Sequence, residues 1–520
     1  ASARLASPRF FDPESLGTRS PTVARPEPWP GGWWGIGDII EYELLAARGL
    51  IETVSSNRGD FVARFVRLGR RAVERGTNEP PYAYIIPPAQ RDPGAVSQLV
   101  ELLELGGVEV GRAAEPFIYE RVDYPAGTIV ISLAQPFRGH VKDLFDVQHY
   151  PEEAGSPYDA SGWTLPQQMG VAVIAVEAPL GVTLTDEASP PFARTLSTRG
   201  TGDQLVLTNG SALESTLIAR ALQARLRVSA TQRPVIVDGV TLPAGSVVIS
   251  GSGNLLAELE SHAAAGGVQV HRTRNAPTGR ATSGLPRIGL YHPWTASMDE
   301  GWTRWVLETH QIPHERIHND RIRSGNLDDL DVILFTHQSS ESILQGRNPD
   351  EIPIEFSGGV GADGVAALQE WVIGGGTIIA LGKATGFILE HFEIPVSDLT
   401  HVSDEDESSR FSAPGSIFGV SVTQGTVLTS GVPDSMSVYL REGTGFAVEA
   451  PAVSIAEYWD QPLRSGLVRN PEVVAGRSAL VEAPLGSGRA ILFGFRPQHR
   501  GQTNGTFKLL FNALLLSGLD

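Results

Sequence analysis

The stretch from Pro286 to Leu381 decides the fold of this chain, and it opens with Pro-Arg-Ile-Gly-Leu-Tyr-His-Pro-Trp at positions 286–294. Short apolar runs that suit buried strands alternate here with amphipathic runs that suit helices. The predicted elements are Arg287–Tyr291, Trp302–Thr309, Leu330–Phe335, Gly364–Ile373 and Thr377–Leu381. The alternation of short apolar strands with helices is typical of an α/β domain whose parallel sheet is covered on both faces.

Ligands of such sheets bind in the loops at the carboxyl ends of the strands. The loops after the first two strands, His292–Glu300 and Thr336–Ser340, therefore form the candidate functional rim. A purely structural role in the loop is the alternative for each candidate. The polar and aromatic side chains that could line a pocket there are His292, Trp294, Asp299, Trp302, His337 and Gln338.

Two arginines follow a later predicted strand at 491–495. Arg496 and Arg500 could bind the carboxylate of a ligand through paired hydrogen bonds, because the planar guanidinium matches that geometry. They could equally tie the last loop to an acidic neighbour. Both alternatives stay open at the level of the sequence.

Composition limits the partners of the chain. The 520 residues include 41 Lys and Arg against 59 Asp and Glu, a net charge of −18. This balance argues against nucleic acid or an anionic membrane surface as the main partner. No apolar run reaches the roughly 18 residues of a membrane span. The absence of cysteine excludes disulfides, thiolate metal sites and thiol nucleophiles. The chain starts without Met or a signal segment, which predicts a fragment or a processed product.

An internal repeat organises the middle of the chain. Leu-Pro-Ala-Gly-Ser-Val-Val-Ile-Ser at Leu242–Ser250 matches Tyr-Pro-Ala-Gly-Thr-Ile-Val-Ile-Ser at Tyr124–Ser132. In the second copy a helix at Leu255–Ala265 follows, and Leu165–Gly170 is predicted to play that part in the first. Two related α/β modules are the physical interpretation. The predicted domains are an arm and helical hairpin (1–78), module 1 (79–180), module 2 (181–280) and an α/β domain with added β-strands (285–520).

The sequence signals for catalytic or metal-binding residues are weak. His149-Tyr-Pro-Glu152 with His262 has the ligand types of a zinc site, but Pro151 places the pair in a loop. His310, His314 and His318 are spaced like a helical ligand stripe, which Pro313 interrupts. Ser339 lacks the Gly-x-Ser-x-Gly context of a nucleophile, so a serine hydrolase is a weak alternative. No catalytic or metal-binding residue is predicted, and the acidic run Ser403–Ser409 is predicted to be a solvated loop.

Several long strings are distributed over nearly the whole chain. They are Pro28–Ile40 (Pro-Trp-Pro-Gly-Gly-Trp-Trp-Gly-Ile-Gly-Asp-Ile-Ile), Tyr84–Pro93, Gly162–Val171, Met298–Trp305 and Gly494–Thr503 (Gly-Phe-Arg-Pro-Gln-His-Arg-Gly-Gln-Thr). Together they resemble the C-terminal half of large bacterial zinc carboxypeptidase-like proteins of the carboxypeptidase A type. The segment Ala1–Pro8 resembles the one that directly follows the general-base glutamate of that peptidase.

The resemblance implies a parent protein with an upstream zinc peptidase domain, whose ligands and general base lie before residue 1. Zinc is then expected in the parent and no cofactor in this chain. The expected function is that of a non-catalytic, exported (periplasmic or extracellular) region that docks on the peptidase domain and shapes access to its cleft. The last domain is expected to resemble the flavodoxin-like fold of class I glutamine amidotransferases, without the thiol that their chemistry needs. The alternative function is a small-molecule, peptide or glycan binding module that uses the rim of residues 285–520.

Overall fold

The computed structural model describes residues 4–6, 32–151, 154–155, 157–185, 199–237, 239–251, 253–276, 278–282, 284–400 and 410–516. These residues form a mixed α/β protein, which confirms the predicted fold class at that level. The chain divides into two units, Ala1–Glu74 and Arg75–Asp520. The predicted boundaries near residues 180 and 280 both fall within the second unit, and they stay predictions. The predicted acidic loop Ser403–Ser409 lies outside the described residues.

The first unit contains a two-stranded antiparallel ribbon, β1 (Arg4–Ala6) and β2 (Gly32–Trp34), and the helix α1 (Ile36–Ser56). The helix α2 (Arg58–Asn78) starts in the first unit and ends in the second. Asn57 alone separates the two helices, with φ −114° and ψ 20°. A helical hairpin needs a loop of about two to five residues to reverse the chain. The predicted hairpin is therefore wrong, because a single residue with these angles bends the chain without reversing it.

Module 1 is built on a five-stranded sheet whose strands are ordered β8-β3-β7-β4-β9, with a separate hairpin of β5 and β6. Helices α3 and α4 follow the strands β3 and β7, so apolar residues of both pack on the sheet. The elements are β3 (Ala83–Ile86), α3 (Pro93–Leu105), β4 (Gly111–Ala113), β5 (Phe117–Tyr119), β6 (Val122–Tyr124), β7 (Ile129–Ser132), α4 (Arg138–Phe145), α5 (Leu165–Met169), β8 (Ile174–Val176) and β9 (Leu184–Thr185).

Module 2 has the strand order β16-β11-β15-β12-β17, with β10 outside β16 and a hairpin of β13 and β14. Position by position this order equals that of module 1. The elements are β10 (Arg199–Gly200), β11 (Gln204–Leu207), α6 (Ala212–Gln223), β12 (Arg227–Thr231), β13 (Val235–Val237), β14 (Val240–Leu242), β15 (Val247–Ser250), α7 (Gly253–Ala265), β16 (His271–Thr273) and β17 (Thr278–Thr282).

The helices of the two modules correspond differently from the prediction. In module 2, α7 directly follows β15; in module 1, the helix in that place is α4, and not the predicted segment Leu165–Gly170. Val141 and Phe145, one turn apart, are the buried face of α4. Helix α4 was not predicted from the sequence, because the other residues of this short helix are mostly polar. The segment 146–164 and α5 are thus additional to the repeat.

The largest sheet belongs to residues 288–493 and is parallel in one part and antiparallel in the other. Neighbouring pairs are parallel along β19-β18-β20-β21-β28, and the sheet continues in antiparallel pairs through β27, β26, β23 and β24. The strands are β18 (Ile288–Tyr291), β19 (Glu315–Ile317), β20 (Val332–Phe335), β21 (Thr377–Leu381), β22 (Val396–Asp398), β23 (Ser416–Val422), β24 (Ser435–Leu440), β25 (Phe446–Val448), β26 (Val453–Ser465), β27 (Ser478–Leu485) and β28 (Gly488–Phe493).

Helices cover this sheet. They are α8 (Met298–Thr309), α9 (Asn319–Arg323), α10 (Ser340–Leu344), α11 (Gly361–Ile373), α12 (Ala384–His391) and α13 (Asn504–Leu515), with single 3₁₀ turns at Ile354–Phe356, Pro471–Val473 and His499–Gly501. The strands β18, β20 and β21 are buried along their whole length, as apolar strands between two layers must be. In α13 every residue from Gly505 to Leu515 is buried. The carboxyl ends of β18, β20, β21 and β28 share one edge of the sheet.

Candidate functional site

Two donors that follow neighbouring strands face the carboxylate of Glu442, and a guanidinium that follows the next strand contacts one of them. His337 follows β20, Lys383 follows β21 and Arg496 follows β28. Lys383 Nζ lies 2.8 Å from Glu442 Oε2, and His337 Nε2 lies 3.8 Å from the same oxygen. Arg496 contacts His337 Nε2 and donates from Nη1 to Asp299 Oδ2 at 3.2 Å. Three of the residues predicted for the rim, His337, Arg496 and Asp299, are thus in direct contact.

The imidazole of His337 is arranged to donate. The backbone N–H of Lys383 donates to His337 Nδ1 at 3.1 Å. A neutral ring therefore carries its proton on Nε2, the atom that faces Glu442 and Arg496. A guanidinium has only donors, so two donors stand side by side at this point. Such a pair is favourable when an anionic oxygen accepts from both, and the only lone pair of the ring is already occupied. The cluster is suited to binding an anion rather than to accepting a proton.

The charge states agree with this assignment. Burial lowers the pKa of His337, against the opposing effect of Glu442. The imidazole of His337, 3.8 Å away, together with the ammonium of Lys383, lowers the pKa of Glu442 to about 2. Burial also lowers the pKa of Arg496, which nevertheless stays a cation because a guanidinium starts far above neutrality. At neutral pH the cluster holds a neutral imidazole, two cations and an ionised carboxylate.

A cavity of about 780 Å³ opens beside Lys383 and Glu442. One of its walls comes from α10 and α12, where Ser340 donates a hydrogen bond to Glu390. Another comes from the adjacent segments of Arg410 and Arg469. Those segments are joined because backbone hydrogen bonds connect Ser412 and Arg469 in both directions, and Asn470 Nδ2 donates to the Arg410 carbonyl. The cavity therefore has an acidic and a basic side, and its volume suits a small ligand.

Asp159, from the additional segment of module 1, reaches the same cavity. Arg500 Nη2 donates to both of its carboxylate oxygens at 2.8 Å, and Arg441 Nη1 donates to Oδ1 at 3.2 Å. The hydrogen bond from Arg500, with the charges of both arginines, lowers the pKa of Asp159. Arg500 therefore ties its loop to an acidic neighbour, which is one of the two alternatives that the sequence left open. Arg496 does the same with Asp299.

His292 and Trp294 lie in a separate aromatic cluster on the same edge. The indole of Trp294 stacks on the ring of His318 with centroids 4.1 Å apart. His292 Nδ1 lies 3.0 Å from the buried carboxylate of Glu300, and His318 Nδ1 bonds the carbonyl of His292. These contacts use the rings for packing, so the structural alternative describes both residues better.

The last two rim candidates also bond within the chain. Gln338 Nε2 donates to Thr295 Oγ1 at 3.1 Å and to Ser342 Oγ at 2.7 Å. Trp302 packs edge-to-face against Trp305, with centroids 6.0 Å apart, and remains 38 % exposed. Gln338 therefore fixes the rim loops to one another, and Trp302 remains partly accessible to solvent.

The histidines weighed as metal ligands are dispersed. His310 packs against Phe511, and burial lowers its pKa to about 4. His318 stacks on Trp294, whereas His314 bonds the carbonyl of Ile312. Among the described residues no group of three or more His, Asp or Glu could hold a metal ion.

The other two weak candidates have structural neighbours. His149 forms an isolated bridge with Gly466, and Glu152 lies outside the described residues. His262, offered as the third ligand, contacts Arg220 at 2.7 Å. Ser339, the candidate hydrolase nucleophile, is the N-cap of α10, where its hydroxyl accepts from the N–H of Ser342 at 3.3 Å.

Sequence reasoning missed three residues of the site, which are Lys383, Glu442 and Asp159. Lys383 had a usable signal, because it comes two residues after a strand whose bounds were predicted correctly. Glu442 follows a strand of the antiparallel part, and Asp159 lies in a loop of module 1. No local pattern indicates that either carboxylate reaches the rim.

The bend after β21 predicts a mutational effect. Gly382 has φ +55°, and a Cβ there would lie 2.3 Å from His337 Nδ1. Gly382→Ala should therefore displace the imidazole and lower the free energy of unfolding by about 1–3 kcal/mol. Urea unfolding checks this. Gly386→Ala, in α12 with no heavy atom nearer than 3.9 Å, is the control and should cost nothing. Equal stability of the two variants would contradict the assigned contact.

Comparisons with known proteins give distant structural likenesses only. No family model matches the chain, and no curated protein does. A protein described as a GMP synthase component from Thermoplasma acidophilum is 13% identical, with 44% of this chain and 94% of that one covered and a TM-score of 0.29. A ThuA-like protein from Bacteroides uniformis is 10% identical (44% and 90% covered, TM-score 0.27). A β-galactosidase from Bacillus circulans sp. alkalophilus is 11% identical (44% and 31% covered, TM-score 0.27). Likenesses at this level say nothing about function.

The described part of the chain was also compared with the requirements of a membrane span. None of its helices combines the length and the apolar character that crossing a bilayer demands.

Proposed function

We propose that this chain is a non-catalytic region that docks on a neighbouring peptidase domain through α1 and α2. The observation that supports the proposal is the exposure of their apolar side chains. No residue of α1 is buried, and in α2 only Gly76 is. Ile51 is 66% exposed, Phe65 78% and Leu68 66%. Continuous apolar surface of this kind marks a contact with another protein body.

The occupant we propose is the upstream domain of a zinc carboxypeptidase-like parent. The sequence resemblance supports this choice, and so do the rows of apolar residues spaced three and four apart on both helices, which suit packing against further helices. Zinc would then reside in that upstream domain. A periplasmic or extracellular location and the shaping of access to the peptidase cleft belong to the same proposal.

The isolated chain should accordingly release no C-terminal residues from peptides and should contain well under one zinc per chain. Elemental analysis beside the His149→Ala variant tests the second point, since both proteins should give the same near-zero value. About one zinc per chain, lost in the variant, would assign a metal site to His149 and end the proposal that the chemistry lies upstream.

Docking itself is tested in the parent protein with Phe65→Ser, which removes an exposed apolar side chain of α2. We expect it to separate the thermal unfolding of the upstream domain from that of this region. Arg67→Ser, about 200° around the helix from Phe65, is the matched control and should leave the transition unchanged. Unchanged unfolding in both variants would contradict the docking surface. A change in the oligomeric state of the isolated chain caused by Phe65→Ser would instead make a second copy the occupant.

A second function is favoured by the donor cluster and its cavity, namely binding of a small ligand at the rim of residues 285–520. Lys383 and Glu442 line the cavity of about 780 Å³, and His337 lies beside Glu442, so the cavity has the size and place expected of a ligand site in such a fold. A ligand that binds the folded chain raises its melting temperature. Thermal shift measurements with peptides, amino acids and sugars test this, and no shift with any of them would count against it.

We infer further that residues 285–520 descend from the flavodoxin-like fold of class I glutamine amidotransferases. Counted in chain order, the five parallel strands have the order 2-1-3-4-5, which is the flavodoxin order. These 520 residues contain no cysteine, so thiol-dependent glutaminase chemistry cannot take place here. A binding role on an inherited scaffold is consistent with both observations.

A further inference from the structure

The donors His337 and Lys383 already face a group of the chain itself, the carboxylate of Glu442. The chemistry of that carboxylate indicates which ligand the site would bind. The donors are held in place by the sheet and by one another. The ring of His337 is fixed by the backbone of Lys383, and the guanidinium of Arg496 is fixed by Asp299. His337 and Arg496 have side chains that are only 10% exposed. His337 and Arg496 would therefore keep their positions if Glu442 moved away, and the ammonium of Lys383, which is 40% exposed, would be released from its ion pair.

The acceptor is held far less firmly. The side chain of Glu442 is 54% exposed, and its backbone has φ +51°, the left-handed region that costs a non-glycine residue about 1–2 kcal/mol. The backbone N–H of Glu442 donates only a long hydrogen bond, 3.4 Å, to the carbonyl of Ala413, and the side chain ends at the donors and in the cavity. Contact with Lys383 and His337 offsets the cost, and a competing carboxylate could take over the same contacts.

We propose that His337 and Lys383, with the guanidinium of Arg496 behind the imidazole, form a binding site for the carboxylate of an amino acid or short peptide, and that Glu442 occupies it as an internal competitor in the free protein. This inference rests on the ligand-binding function proposed above. The carboxylate of Glu442 stands in for that of the ligand.

The rest of the cavity decides between classes of carboxylate. Glu341, Glu390 and Asp398 line its acidic side, which attracts an ammonium group. On the basic side, Arg441 is paired with Asp159 and Arg469 bonds the carbonyl of Ala154. An amino acid or dipeptide, which carries an ammonium group as well as a carboxylate, therefore suits the cavity better than a dicarboxylate. Amino acids and dipeptides both offer one carboxylate to the donors, and a free dipeptide is the better ligand of the two.

The test measures binding of Ala-Ala to the wild-type chain and to Glu442→Gln by calorimetry, with Ala-Ala amide and glutarate as comparison ligands. Removal of the competitor should tighten binding of Ala-Ala about tenfold or more, because the apparent dissociation constant includes the fraction of sites that are open. Glu341→Gln, which removes a carboxylate of the same cavity that is not bonded to the donors, is the matched control and should show no comparable gain. The amide and glutarate should bind at least tenfold more weakly than Ala-Ala.

The outcomes separate the two proposals. If Ala-Ala binds neither protein, the ligand-binding function fails, and this inference fails with it. If it binds the wild type, but Glu442→Gln binds no more tightly or Glu341→Gln gains as much, the binding function stands and the internal competitor is refuted. Equal binding of the amide would refute the carboxylate as the recognised group. Since the chain has three lysines, at 142, 383 and 508, amine acylation gives a second readout in which Ala-Ala should protect Lys383.

Discussion

Lys508→Met is expected to make the protein about 2–4 kcal/mol more stable below pH 7 and less stable above pH 10. Lys508 lies in α13 and is only 2% exposed. Its Nζ donates to Ser215 Oγ at 2.6 Å and to Asn209 Oδ1. Burial without a bonded carboxylate lowers the pKa of Lys508 from 10.5 to about 7. The charged groups that face it are Glu214 and Asp92, which oppose this shift, and Arg91, which repels the ammonium; His310 also faces it but is neutral above about pH 5.

The direction in which the free energy of unfolding changes with pH follows from proton linkage. Between about pH 7 and pH 10.5 the unfolded chain holds a proton on Lys508 that the folded chain has lost. The free energy of unfolding therefore rises with pH in this window, by up to 1.36 kcal/mol per pH unit and roughly 5 kcal/mol in all. Methionine does not titrate, so the variant has the larger free energy of unfolding at low pH. At high pH the variant is the less stable protein, because two buried acceptors lack a donor, which costs about 1–3 kcal/mol.

Urea unfolding of both proteins at pH 6, 7.5, 9 and 10.5 measures the difference, in which titrations common to the two proteins cancel. The control is Lys142→Met, whose ammonium pairs with Asp146 and is 26% exposed. The free energies of unfolding of Lys142→Met and of the wild type should differ by no more than about 1 kcal/mol at every pH. A Lys508→Met difference that is flat across the window would mean that the folded protein keeps Lys508 charged.

Glu214→Ala is expected to destabilise the protein by about 3–5 kcal/mol. Glu214 is 3% exposed, and its carboxylate accepts four hydrogen bonds from the turn at residues 208–211. Its Oε1 accepts from Thr208 Oγ1 at 2.9 Å and from the N–H of Asn209 at 3.0 Å. Its Oε2 accepts from the N–H and the hydroxyl of Ser211 at 2.8 and 3.1 Å. Alanine leaves several buried donors without an acceptor, each at about 1–3 kcal/mol.

Glu214→Gln separates the carboxylate from the side-chain volume. It keeps one acceptor oxygen but replaces the other by an amide NH2 group, which faces donors of the same turn, so its loss in unfolding free energy should be intermediate. Glu258→Ala, on α7 with a side chain 65% exposed, should change stability by no more than about 0.5 kcal/mol. If Glu214→Ala lost no more than Glu258→Ala, the buried turn would not depend on its carboxylate.

The sequence predicted elements best where burial alone decides them. The strand Thr377–Leu381 has the predicted bounds, because five consecutive apolar or β-branched residues leave little ambiguity. The helix predicted at Trp302–Thr309 instead starts at Met298, after Ser297 caps it by accepting from the N–H of Glu300 at 3.1 Å. The first turn contains polar residues and was taken for loop. The short α10 was missed for the same reason.

For the site, the sequence could place residues on an edge but could not pair them. The rule that loops follow the carboxyl ends of parallel strands placed His337 on the rim, and the strand before Arg496 placed that residue in the last loop. The contact of Arg496 with Asp299 joins a loop to the first turn of α8, which lies about 200 residues earlier in the chain. Glu442 and Asp159 enter from elements outside the parallel strands, so only the folded chain brings them to the cluster.

The position of α13 has a consequence for the order in which this protein can be made. This helix is buried along its length and bonds to Asn209 and Ser215 of module 2, while Asn504 at its start bonds to Gln98 of module 1. A ribosome that has finished β3 must still add about 420 residues before α13 exists, which takes roughly 20–80 s at ~5–20 residues per second. During that time the surfaces that α13 covers stay exposed, and exposed apolar surface of this kind is prone to aggregation until α13 has been made.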